Sequence, residues 1–223
     1  MGEAEASVGG AFVTERRCLA QTFRDVGPDR PTLAGAWTTT DLAAHVVATE
    51  QLAGVPTFVG RVVVARYGWR LNELFRSTYQ RDVRRFRRLG FDTAVERLSG
   101  DPPRLLRRPS VAPVGLFEVW VHHEDVRRAN DLPVRTTDEN PDLVPCLRWL
   151  LRYQHGLLGY VTLRLELPDG QVLTGSGPGE PVTIRGTPGE CLLWLAGRRD
   201  VTSVELDGST NAVDRLTCLD IRV

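Results

Sequence analysis

No lysine occurs among the 223 residues, so the chain's 28 basic side chains are all arginine. That usage matches GC-rich coding, a bias of the genome and not of function. Net charge is missing too: 28 acidic residues balance the arginines to a formal charge of zero, which argues against bulk binding to nucleic acid or to a membrane surface. The four cysteines, Cys18, Cys146, Cys191 and Cys218, include no CxxC pair, so neither a thiolate-ligated zinc site nor a disulfide framework is suggested, and reduced, packed thiols are the reading. No apolar run approaches the roughly 20 residues of a membrane span. The start MGEAEASVGG has neither the basic residues nor the apolar stretch of a secretory signal, so the cytoplasm is the expected compartment.

What is present is a chain 42% hydrophobic and 25% charged, suited to one large or two modest globular domains. Phe12, Leu19, Phe23 and Val26 recur at helical spacing, and Gly27-Pro28 stops the run. Thr38 and Asp41 form a Thr-x-x-acid capping box opening a second helix that carries Leu42, His45, Val46 and Val47 inward. A third helical stretch is expected between residues 57 and 89, and a short helix from Thr93 to Leu98. The basic run Arg81 to Arg88, within the stretch 57–89, reads as a solvated face. Asp101-Pro102-Pro103 and 109–113 are loop signals, followed by helices over 114–129 and 142–158.

After Gly159 the period changes from helical to alternating. Leu163, Leu165 and Leu167 face one way, Asp169-Gly170 turns, and Val172 begins the return of a hairpin. Further strands are expected over 182–185 and 201–206, the latter closed by Asp207-Gly208. Between them Thr187-Pro188-Gly189-Glu190 is a capping box with proline at the first helical position, opening a helix that ends at Gly197. The glycine-rich segment 175–179 precedes a strand and not a helix, so it is a loop and not a phosphate cradle. The expectation is a helical bundle over 1–158 and a small α+β domain over 159–223.

Chemistry-bearing residues concentrate in one helix, in the block Glu118-Val-Trp-Val-His122-His123-Glu124-Asp125. Residues four apart share a helix face, so Glu118 and His122 can converge on one point, and a carboxylate with an imidazole suits a borderline divalent ion. His45, on the apolar side of its own helix, would supply a third ligand and leave a coordination position open, as catalytic zinc requires. Asp125, one turn beyond His122, is placed to orient that imidazole, whereas His123 and Glu124 point elsewhere because successive residues turn by about 100°. The more ordinary reading pairs the acidic residues with Arg127 and Arg128. His155 has no acidic neighbour at helical spacing and reads as structural. Trp37 and Trp120 flank the proposed ligands and read as core first, pocket wall second.

Three segments carry a resemblance: Trp37-Thr38-x-x-Asp41-Leu42-Ala43-Ala44-His45, Glu118-x-x-x-His122-His123-Glu124-Asp125-Val126-Arg127-Arg128-Ala129, and Val182-Thr183-Ile184-x-Gly186-x-Pro188-Gly189-Glu190 ending in Gly197-Arg198. In this order they resemble the actinobacterial metal-binding proteins of the maleylpyruvate isomerase family, over nearly the whole chain. The resemblance implies a DinB-like four-helix bundle followed by a small α+β domain, with zinc held by His45, Glu118 and His122. It further implies a thiol-dependent isomerase or S-transferase acting with mycothiol on an electrophilic small molecule, with Arg198, or its rival Arg199, clamping a substrate carboxylate. The HHED block places the chain closer to members known as metal-binding proteins than to the isomerase proper, so the substrate does not follow from the fold. The competing expectations are a non-enzymatic metal-dependent binding or regulatory module, and a zinc hydrolase using Asp125 or Glu124 as general base.

Overall fold

The computed structural model describes residues 2–52, 80, 81, 83–133, 135, 141–153, 161–175 and 177–218. Most of the third expected helix, the end of the stretch at 142–158, and His155 lie outside the described residues. The chain divides into two compact units, Met1–Pro133 and Val134–Val223.

The first unit is helical. Helix α1 spans Gly2–Val26, α2 Thr39–Leu52, α3 Phe91–Ser99 and α4 Ala112–Ala129. Phe12, Leu19 and Phe23 of α1 are fully buried, as their spacing predicts. At Gly115 a Cβ would sit 2.9 Å from Cε2 of Phe12, so the glycine is what lets α4 lie close against α1. The capping box at α2 forms in both directions. The Asp41 amide meets Thr38 Oγ1 at 3.4 Å, and the Thr38 amide donates to Asp41 Oδ2 at 3.2 Å. Caps of this kind contribute on the order of 1 kcal/mol. Arg87 Nε, from the helical residues 83–89, pairs with the other oxygen of Asp41 at 2.6 Å. In that stretch Phe86 is buried while Arg84, Arg85, Arg87 and Arg88 are exposed, the solvated face expected of the basic run.

A buried ion pair ties α1 to α2. Arg16 donates from Nε and Nη2 to the two oxygens of Glu50 at 2.5 and 2.8 Å, and from its remaining N–H groups to the carbonyls of Arg97, Leu98 and Gly100 at 2.8, 2.5 and 2.5 Å. All five guanidinium protons are thereby used, and the exposed C-terminal carbonyls of α3 are closed by a side chain from α1. Burial pushes the Glu50 carboxyl upward, against the lowering effect of the hydrogen bond and charge of Arg16.

The second unit holds α5, Val144–Tyr153, and a four-stranded sheet of β1 Val161–Glu166, β2 Val172–Gly175, β3 Glu180–Arg185 and β4 Glu205–Gly208. Helices α6, Pro188–Leu195, and α7, Thr210–Cys218, complete it. The sequence grouped α5 with the bundle, but its contacts are with β2 and α6, because Cys146, Leu147, Leu150 and Leu151 bury an apolar stripe within this unit. The strands are ordered β2-β1-β3-β4, with β1 antiparallel to β2 and parallel to β3. Of the glycine-rich segment, Gly177 and Gly179 lie beside the start of β1. There Thr162 Oγ1 lies 2.6 and 3.0 Å from the carbonyls of Gly177 and Gly179.

Past α6 the structure departs from expectation. Residues Arg199–Val201 form a 3₁₀ turn, the strand begins only at Glu205, and Asp207-Gly208 lies within it and not in a closing turn. Gly208 pairs with Val182, and a Cβ there would sit 3.1 Å from the Pro181 carbonyl, so the glycine serves close strand approach. Ser209 then caps α7, which the sequence reading did not foresee, its hydroxyl 3.3 Å from the Ala212 amide. Two cysteines, Cys146 and Cys191, are packed as expected, while Cys18 and Cys218 are exposed. Burial, with the charge of Glu190, pushes the Cys191 thiol up to about 12.

Candidate metal centre

Helix α4 is enclosed over most of its length, and each polar residue of its central block meets a partner from a different direction. Glu118 and His122 face α2. Glu118 Oε1 lies 3.0 Å from His45 Nε2 and 3.5 Å from His122 Nε2, and the two imidazole Nε2 atoms are 3.0 Å apart. A tetrahedral zinc ion with bonds of about 2.0–2.1 Å spaces its ligand atoms about 3.3–3.4 Å apart. The three atoms therefore already stand at nearly the edges of such a tetrahedron. They form, among the described residues, the one group of histidine, cysteine and acidic side chains that could hold an ion. The side chains of His45 and Glu118 remain 14% and 19% exposed, so one side of the cluster is accessible.

The other nitrogen of His122, Nδ1, lies 2.8 Å from Asp125 Oδ2, on a residue with no exposed surface. A buried carboxylate in this position accepts a hydrogen bond from Nδ1–H and turns the lone pair of Nε2 toward the cluster, the usual support for a ligating imidazole. The backbone carbonyl of Asp125 in turn accepts from the Leu33 amide at 3.1 Å, which fastens the segment before α2 to α4. Thr32 Oγ1 donates to the Trp37 carbonyl at 2.8 Å and closes that segment, so the Trp37 ring stands 4.8 Å from the His45 ring, centroid to centroid. Trp37 is half-exposed and forms a wall of the cluster, whereas Trp120 is core.

His123 turns toward α1. Its Nδ1 lies 2.7 Å from Glu15 Oε1 and its Nε2 lies 2.8 Å from Thr22 Oγ1, which makes it a helix-to-helix tie. Glu124 is paired with Arg128 at 2.8 Å and with Arg127 at 3.6 Å, the ordinary arrangement weighed for the acidic residues. Arg198 belongs to the second unit, where its Nη1 donates to the Ala196 carbonyl at 2.6 Å. Arg199 lies over the Trp194 ring at 4.6 Å and donates to the carbonyls of Thr217 and Leu216.

Electrostatics of the cluster follow from its contacts. Burial alone would raise the Glu118 carboxyl, but hydrogen bonds from His122 and His45, and their charge, hold it well below 4.5. Burial alone would lower His122, but hydrogen bonds to Asp125 and Glu118, and their charge, push it up to about 9 from 6.5. Without a metal, a proton on His122 thus favours the fold below pH 6.5, and that contribution disappears as pH rises through about 9. The depressed Glu118 contributes stability above pH 4.5 that is lost as pH falls through its lower folded value. A bound cation requires the imidazoles unprotonated and reverses the alkaline trend. Thermal melts between pH 6.5 and 9 should therefore show chelator-treated protein losing stability while the zinc-loaded protein gains on it. Parallel curves would exclude ligation by His122.

Sequence reading missed Arg16, Glu50, Glu15 and Thr22. Arg16 had a signal, since it stands in the apolar register of Phe12, Leu19 and Phe23, where a charge requires a buried partner.

No protein-family model matches the chain, and no curated protein matches it in sequence. Among solved structures, it is similar to the crystal structure of the mycothiol-dependent maleylpyruvate isomerase, with a TM-score of 0.54 and 16% identity over 93% of this chain and 92% of that one. At that identity the likeness is one of fold: this is an α+β chain with the fold of the mycothiol-dependent maleylpyruvate isomerase, carrying a His-Glu-His cluster that could bind a metal ion.

Proposed function

We propose that His45, Glu118 and His122 ligate a divalent ion, zinc by the chemistry of the donor set, and that the chain uses a low-molecular-weight thiol, mycothiol, either to isomerise an electrophilic small molecule or to join the thiol to it through sulfur. The observation that carries the reading is the near-tetrahedral spacing of three donor atoms with a buried carboxylate behind one of them. The mycothiol dependence of the structural neighbour supports the thiol. When bound, such a cation stabilises a coordinated thiolate and makes the sulfur nucleophilic near neutral pH.

The protein's own contribution is placement. Asp125 keeps the Nδ1 proton and ring angle of His122, the exposed side of Glu118 and His45 leaves an approach, and the Trp37 ring shields His45 from solvent. Arg198 remains the candidate for holding a substrate carboxylate, and Asp125 for a supporting role in the chemistry. A hydrolase with Glu124 as base fits less well, because Glu124 is ion-paired with Arg128. The compartment proposed is the cytoplasm; among the described residues no helix is long and apolar enough to cross a membrane.

Metal analysis of the purified protein, followed by calorimetric titration with mycothiol before and after chelation, tests the proposal. About one ion per chain and saturable thiol binding only in the loaded form are expected. Bound metal without thiol affinity would reduce the reading to a metal-dependent binding module, and absence of metal affinity would end it.

A further inference from the structure

A concavity of about 560 Å³ lies in the first unit and is lined by residues from α1, α2 and α3 and by the 3₁₀ turn Arg104–Arg107. It is separate from the metal centre. The α2 residues that line it, Val47 and Glu50, stand two and five positions beyond His45, and two positions on a helix point about 200° apart. Its volume falls in the range of small-molecule sites, roughly 300–1,000 Å³.

The charges around it are not balanced. Arg16, Arg97, Arg104 and Arg107 line it against Glu50 and Asp101. Glu50 and the C-terminal carbonyls of α3, the negative groups at its floor, are consumed by the five donors of Arg16. Asp101 is exposed and turned to Arg17 at 3.4 Å. What remains is the field of three exposed guanidiniums. Arg97 lies 5.2 Å over the Phe86 ring, an arrangement that leaves its N–H edges available. Among the residues whose side chains are described, which begin at Val8 in α1, Arg104 and Arg107 have no carboxylate within ion-pair distance.

The turn that carries two of these arginines is anchored. In a 3₁₀ turn the side chains at i and i+3 eclipse, so Arg104 and Arg107 project from the same side. The turn is anchored by buried Leu106 and Pro102, and it packs so closely on α1 that a Cβ at Gly9 would sit 2.7 Å from the Arg107 carbonyl. Guanidinium forks carried side by side on one anchored turn match the paired oxygens of phosphate or carboxylate groups.

We propose that this cavity is a binding site for a small molecule bearing a multiply charged oxyanion, gripped by Arg97, Arg104 and Arg107 over the neutralised Arg16–Glu50 floor. The source of the charge is either a phosphate ester or a polycarboxylate. Calorimetric titration of the full chain with pyrophosphate and with citrate, at constant ionic strength and against a chloride control, separates the two. Saturable binding of at least one is expected, the stronger naming the class, with at least a tenfold loss in the Arg104→Gln/Arg107→Gln variant and no change in its metal content. Arg97→Gln, on a different element, should weaken the same anion and guards against misfolding of the double variant. Binding of neither anion beyond the chloride control, or affinities unchanged in both variants, would overturn the proposal.

Discussion

Replacement of Arg16 by methionine is expected to lower the stability of the first unit by about 3–5 kcal/mol, because removing one partner of a buried ion pair leaves the other charge uncompensated. Methionine keeps most of the apolar stem and removes every donor. Glu50, whose carboxyl burial already pushes upward, then has no counter-ion, and three carbonyls at the end of α3 lose their partner together. Glu50 will respond by protonating, so the loss should be greatest above neutral pH and smaller in mild acid. For a chain of this size the fall in Tm is on the order of 10 °C. Glu50→Gln in the Arg16→Met background should recover part of the loss by removing the buried charge, while the carbonyls stay unpaired. Urea unfolding of the two single variants and the double variant gives the coupling directly. A cost below about 1 kcal/mol for Arg16→Met would mean that water reaches the pair and that the five hydrogen bonds contribute little.

That pair marks the limit of what the sequence discloses. Local signals transferred well. Thr38 with Asp41 closes as a reciprocal capping box across three residues, and Thr187 caps the Glu190 amide as its spacing predicts, while the Glu190 carboxylate accepts from the Ser203 amide. Alternation at Leu163 and Leu165 predicted a face of β1, and the Asp169-Gly170 turn predicted the hairpin. Glu118 and His122 were legible as one face because helical geometry fixes residues four apart. His45 was legible as a candidate third ligand on the apolar side of its helix, but assigning it to this pair took a resemblance, since nothing within α2 says which helix it meets.

Contacts that depend on how distant segments pack were hidden. Arg16 meets Glu50 across 34 residues and the α3 carbonyls across more than 80, and His123 meets Glu15 across 108. The parallel pairing of β3 with β1 was unreadable for the same reason, because a hairpin signal specifies only its own two strands. The end of β4 was misplaced because Asp207-Gly208 has turn chemistry in isolation, and only the neighbouring Pro181 backbone explains a glycine within the strand.

The three donors of the cluster should respond to substitution as a unit and Asp125 by degree. Metal-site energies of about 10–16 kcal/mol over four ligands imply a few kcal/mol per ligand, so His45→Ala and His122→Ala should each weaken zinc by roughly 10²–10³-fold. Asp125→Asn leaves all three donors in place and can still hold the Nδ1 proton, but it removes the charge behind His122. A supporting carboxylate of this kind changes affinity by about 10–100-fold. The alternative is that these side chains are a self-satisfied polar core. Under it, each substitution destabilises the fold, yet zinc shifts no melting curve in either the native chain or the variants. If they are ligands, zinc at about a thousand times its Kd raises native stability by about 4 kcal/mol, and the increment shrinks in the order native, Asp125→Asn, His45→Ala or His122→Ala. The ordering matters more than any one value, because destabilisation alone also follows from broken hydrogen bonds, whereas a graded loss of the zinc-dependent increment requires a shared ion. An increment equal in the native chain and in His122→Ala would place the metal elsewhere.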